Sequence, residues 1–191
     1  DFLGVRFMRD KGGDLYGFRA IDPESIESVR PGYNFISTEG DDVDPPIDPF
    51  VNRYNPVGKQ TRALPIPGKF LYSVDDGNYV RDNLGFESLT STPNRRYLYA
   101  ATENALLNDG PKSTLTTTSP SRFLEIDLRR KQPGREFVYC VDPIPQAPIP
   151  PEEFADHGLV EIQALDNVGT FLTMERSFAV GVGNTILLFE T

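Results

Sequence analysis

One pattern occurs three times in this chain, and it constrains the fold more than any other feature. The fullest copy runs from Leu84 to Asn104, an earlier one from Ile21 to Glu39, and a looser one from Leu159 to Arg176. Each has a glutamate opening an apolar stretch, a turn rich in Pro, Gly or Asn, a second apolar stretch and a second glutamate. The pairs are Glu24 with Glu39, Glu87 with Glu103 and Glu161 with Glu175, separated by 15, 16 and 14 residues. A repeated supersecondary unit implies stacked copies, because a single unit cannot bury its own apolar faces.

The units read as short strands. Seventeen prolines and 16 glycines punctuate the sequence, and stretches that keep one periodicity rarely exceed about ten residues. The middle copy holds four candidate strands, beginning at Phe86, Tyr97, Arg122 and Glu136. The first copy continues through Phe50–Tyr54 to Arg62–Ile66, a strand whose proline restricts it to a sheet edge. Asn55 and Asp127 then occupy the same place at the end of a third strand. Three strands beginning at Glu161, Thr170 and Thr185 make the last unit. Residues 2–8 and 14–18 read as a hairpin turned by Gly12-Gly13. Residues 142–151 read as a polyproline-like connector, and 151–158 as one helical turn ending at Gly158.

Four antiparallel strands per unit are the signature of a propeller blade. The expected fold is therefore an all-β β-propeller, a single domain over 1–191 with a partial blade at 1–20 and blades at 21–70, 84–142 and 159–191. Since about four blades are the minimum for ring closure, either another segment completes the ring, or the sheet stack is open, or residues beyond this sequence complete it, the reading that the abrupt junction near Ala20 favours.

The stretches Asn83–Thr90, Tyr97–Leu106 and Pro120–Leu128, with Asp22-Pro-Glu-Ser-Ile26, Ser37-Thr-Glu-Gly-Asp41 and Leu172–Phe178, resemble the phytase-like propeller family, described by an esterase-like activity of phytase. The resemblance covers most of residues 20–190. It implies a propeller found outside the cytoplasm, whether secreted, periplasmic or in an organelle lumen such as the thylakoid's. It also implies a relation to calcium-dependent phytases, without fixing a reaction.

Charge and cysteine content narrow the chemistry. With 28 acidic and 19 basic residues the net charge is −9, which argues against a nucleic-acid surface, since phosphate binding needs clustered Lys and Arg. The lone Cys140 excludes an intrachain disulfide and a thiolate metal site. No apolar run reaches the roughly 20 residues that cross a bilayer.

The repeated glutamates are the candidate site. If they converge near the propeller axis, their like charges raise one another's pKa or demand a cation. Oxygen ligands without a His or Cys cluster suit calcium or magnesium. Glu24, Glu39, Glu87 and Glu103 are the candidate ligands. Glu87, Glu103, Glu175 and Arg176 are the candidate catalytic groups, with Arg176 or Arg122 pairing to substrate oxygens. The ligand would be a phosphorylated or ester small molecule. Alternatively, the same glutamates cap strands and tie blade to blade, and the protein is a non-catalytic propeller binding a protein partner in a larger assembly through 142–151 or the acidic loop 41–48. That loop lacks EF-hand spacing and reads as solvated. His157, in a polar turn, reads as a surface residue; Cys140 as a small buried apolar group; Ser88, repeated as Ser25, as a hydroxyl bonding locally to backbone; and Gly181-Val-Gly183 as a turn.

Overall fold

The computed structural model describes residues 4–72 and 80–191. Its strands form three antiparallel sheets in chain order. The first holds β1 (Pro23–Arg30), β2 (Tyr33–Thr38), β3 (Phe50–Tyr54) and β4 (Gln60–Ala63). The second holds β5 (Phe86–Ser91), β6 (Tyr97–Thr102), β7 (Ser119–Asp127) and β8 (Gln132–Val141), and the third β9 (Ala155–Ala164), β10 (Phe171–Ala179) and β11 (Gly183–Glu190). In each sheet the strands pair with their sequence neighbours, and the first strands stand side by side, β1 against β5 and β5 against β9. Sequential meanders with adjacent leading strands are propeller blades.

Period-two alternation explains why the middle blade is buried on both faces. On β6, Leu98 and Ala100 join the core shared with the first blade, with Phe35, Phe70, Phe86 and Leu124. Tyr99 and Ala101 point the other way, into the core shared with the third blade, with Phe123, Leu159 and Phe171. The Phe171 ring meets Tyr99 and Phe123 edge-on, at centroid distances of 4.9 and 5.2 Å.

Polar groups tie the leading strands together. The Leu89 amide donates to Ser25 Oγ at 3.1 Å, the Ser91 amide to Glu27 Oε1 at 3.1 Å, and the Ala164 amide to Thr90 Oγ1 at 3.0 Å. The third-strand equivalence also has a structural cause. Asn55 Oδ1 accepts the Val57 and Lys59 amides, and Asp127 Oδ1 accepts those of Arg129 and Arg130, so both side chains close the turn into the fourth strand.

Several sequence expectations are corrected. Residues 4–20 form no strand: the turn at Asp10–Gly13 closes, but Arg9 bonds to Gly58 and Gln60 instead of supporting a long hairpin. Phe2 and Leu3, also assigned to that hairpin, lie outside the described residues. Residues 151–158 are not a helical turn, because β9 begins at Ala155 and pairs along β10. Cys140 is exposed, since β8 is the outer strand of its blade. Among the described residues no helix is long and apolar enough to cross a membrane.

Candidate functional site

The glutamates of the first two repeats gather at one end of the leading strands because of local irregularities. Glu24 and Glu87 are the second residues of β1 and β5, and each falls at a register shift against the next strand. Such bulges re-aim a side chain out of strict alternation. Glu39 and Glu103 follow directly on the last residues of β2 and β6. Close approach of the blades holds them there. The Glu103 amide donates to the Gly85 carbonyl at 2.9 Å, and the Leu159 amide to the Glu103 carbonyl at 3.0 Å. A Cβ on Gly85 would stand 2.8 Å from Glu39 Cα, so only glycine lets the second blade start this near the first.

These four glutamates line a cleft of about 540 Å³ with Asp22, Asp156, His157 and Arg176. Six carboxylates thus line the cleft against one guanidinium, and one of them, Asp156, also pairs with Lys112 at 3.2 Å. Burial pushes Glu39 up to about 7, helped by the charges of Glu24 and Asp22 and opposed by the Gly85 amide. Glu87 rises to about 9 through burial and the charges of Glu103, Glu24 and Glu39. Glu103 rises to about 8 through burial and the charge of Asp156. Glu24 is raised by burial and by Asp22. Arg176 opposes the rise at Glu24, Glu87 and Glu103, the shared counter-charge of the cluster.

One subset fits a cation. Asp22, Glu24 and Glu39 each offer an oxygen, all within 4.8 Å of one another, and Glu39 Oε2 is buried without a hydrogen-bond partner among the described residues. The donors of this subset are carboxylate oxygens, the kind that calcium or magnesium takes, and they would supply three of the six or more oxygens such an ion needs. Glu87 and Glu103 line the same cleft but stand outside that set.

A family model described as Phytase-like, Esterase-like activity of phytase, matches residues 1–191. The chain belongs to this family. No curated protein matches it. Two solved structures with some likeness to this phytase-like chain are described as "Structure of U3-55K" and "Crystal structure of RRP9 WD40 repeats". Each is 8% identical, with TM-scores of 0.34 and 0.35, covering 91% of this chain and 53% and 52% of theirs. The chain spans about half the length of the solved structures it matches.

The third repeat of the phytase-like chain enters the site in a different register from the one expected. Asp156, not Glu161, is the second residue of β9 and faces the cleft; Glu161 lies beside Gln163 and Ser91 in a separate hollow between blades. Glu175 sits within β10 rather than after its end, and it does not line the cleft. It is fully buried behind it, bonded to His157. His157 is therefore a buried residue of β9, not a surface one.

Arg122 does not reach the cleft either. It is held by both oxygens of Asp109 and by Glu136 Oε2 at 2.7 Å. Ser88 Oγ is buried with no partner among the described residues, whereas Ser25 Oγ ties two blades; the repeated serine has no shared local bond. The acidic loop closes on itself through reciprocal Asp41 and Ile47 backbone bonds of 2.9 Å, and Asp41 pairs with Arg19. Asp22 and Asp156 carried no repeat signal of their own. Aligning the third copy on its strand start instead of on its glutamates would have found Asp156.

Proposed function

We propose that this protein is a divalent-cation-dependent hydrolase of a phosphate or carboxylic ester, working in the acidic cleft. The convergence of six carboxylates on one arginine carries this reading. Asp22, Glu24 and Glu39 hold the cation, with calcium the first choice for so acidic a set. The cation supplies Lewis-acid polarisation of a substrate oxygen and activation of bound water.

The remaining groups have distinct tasks. Arg176 pairs with substrate oxygens, for which its planar donor fork is suited. Glu87 and Glu103, whose carboxyls burial and neighbouring carboxylates push up, are the groups that deliver a proton to the leaving oxygen as the ester bond breaks; a raised carboxyl pKa is what a general acid needs. Water adds its oxygen to phosphorus or to the carbonyl carbon, and the proton it loses restores the carboxyl that protonated the leaving oxygen. The setting we propose is extracytoplasmic, in keeping with a calcium requirement.

The test is hydrolysis of p-nitrophenyl phosphate and p-nitrophenyl acetate with and without added calcium or magnesium. Turnover of one ester should need the cation and fall at least about tenfold in Glu24→Gln and Glu39→Gln, as loss of ligands demands. Cation-independent rates, or rates untouched by both variants, would sink the proposal.

A further inference from the structure

The opposite end of the first two blades carries the reverse charge. From Glu24 to Arg30 along β1 is ~20 Å at the usual rise per residue. There a groove of about 440 Å³ opens between the two blades. Six of the 19 Lys and Arg side chains line it: Arg30, Arg53, Arg62, Arg95, Arg129 and Lys131. No carboxylate lines it, and none of the six makes an ion pair among the described residues. In a protein of net charge −9, where acids outnumber bases, such clustering is a local feature against the general field.

The groove also has an apolar floor and partly fixed cations. Val29, Phe35 and Leu64 are buried beneath it, and Leu128 is partly buried beside them. The guanidinium carbons of Arg30 and Arg53 lie 3.8 and 4.6 Å from the Tyr33 ring centroid. Arg53 Nε also donates to Thr61 Oγ1 at 2.8 Å. Stacked, tethered guanidiniums lose less freedom when they bind a planar anion such as a carboxylate.

We propose that this groove docks an acidic peptide segment of a partner protein, its carboxylates on the arginine rim and its aliphatic side chains against the partly exposed Leu128 and Tyr33. Charge complementarity selects an anion. The partly exposed Leu128 and Tyr33 among the cations give an aliphatic side chain a contact that a bare phosphate cannot use. The groove's small volume, with acidic surface elsewhere, selects against a nucleic-acid strand, whose long backbone would run onto repelling charge.

The experiment measures fluorescence anisotropy of a short labelled peptide repeating glutamate and leucine, titrated with the intact chain. Saturable binding should weaken with added salt and fall at least about tenfold in Arg53→Glu with Arg95→Glu, a loss typical of reversed charge pairs. Arg62→Glu with Lys131→Glu, on exposed side chains, is a second variant should the first not fold; circular dichroism checks both. Four outcomes would overturn the inference: no saturable binding, affinity unchanged in the folded variants, equal binding of an all-glutamate peptide, or tighter binding of single-stranded RNA or tripolyphosphate.

Discussion

His157 Nε2 and Glu175 Oε2 lie 2.6 Å apart with both side chains sealed from solvent. The carboxylate is further held by the Tyr139 hydroxyl at 2.7 Å and by the Asp142 amide at 3.2 and 3.3 Å. Glu175 and His157 belong to the third blade, Tyr139 and Asp142 to the end of the second. The pair is a strut between blades, and it backs the wall of the cleft that His157 lines.

Breaking a buried pair costs far more than a surface pair, because the partner left behind is desolvated and unsatisfied. Glu175→Ala should therefore destabilise the protein by roughly 3–5 kcal/mol, read from urea unfolding. Tyr139→Phe, which removes one bond and little volume, should cost about 1 kcal/mol. A loss below that for Glu175→Ala would mean that the blades are held together elsewhere.

Stability without divalent cations should depend on pH in the opposite sense from ordinary acid denaturation. Glu39, Glu87 and Glu103 are pushed up from 4.5 to about 7, 9 and 8. Between 4.5 and those values the folded state binds more protons than the unfolded one, so stability falls as pH rises. The melting temperature of the cation-free protein should drop from pH 5 to pH 9. Calcium should raise it by mass action, more at pH 8 than at pH 5.5, where protons compete for the oxygens. A calcium response of equal size at both pH values would count against a carboxylate site.

Gly85 makes a prediction about geometry alone. Its missing Cβ faces Glu39 Cα, Cβ and carbonyl oxygen at 2.8, 2.8 and 2.9 Å, contacts that involve backbone and cannot swing aside. Gly85→Ala should cost about 1–3 kcal/mol through overpacking. It should also weaken cation binding, because Glu39 must shift. Calorimetry of calcium binding alongside the unfolding curve checks both effects; wild-type values in both would show that the blades can part freely here.

How legible the molecule was depended on what each residue obeys. The blades could be read from the sequence because alternation and turn chemistry are local: Leu98 and Tyr99 face opposite cores, and Asn55 and Asp127 cap equivalent turns. The convergence of Glu24, Glu39, Glu87 and Glu103 followed from their repeated spacing. His157 could not be read, since its burial depends on pairing with Ser177 across β10, a contact set by register rather than by its own polar neighbours. The place of Arg122 is not legible either, because sequence does not reveal that Asp109 and Glu136 converge on it. The basic groove was missed for the same reason: its six cations come from separate strands and turns, with no charge run along the chain.

The register of the third repeat can be tested by asking which acid speaks to the cleft. Glu103 owes its raised pKa first to burial and then to the charge of Asp156, while Glu161 lies outside the cleft in a separate hollow. Asp156→Asn removes that charge with almost no change in shape, so the Glu103 carboxyl should titrate lower than its about 8 in the parent protein. Glu161→Gln, in the hollow beside Ser91, should leave it where it was. Carboxyl titration by carbon-detected NMR distinguishes the two. The reverse result, a response to Glu161→Gln and none to Asp156→Asn, would restore the glutamate-to-glutamate alignment and remove Asp156 from the site.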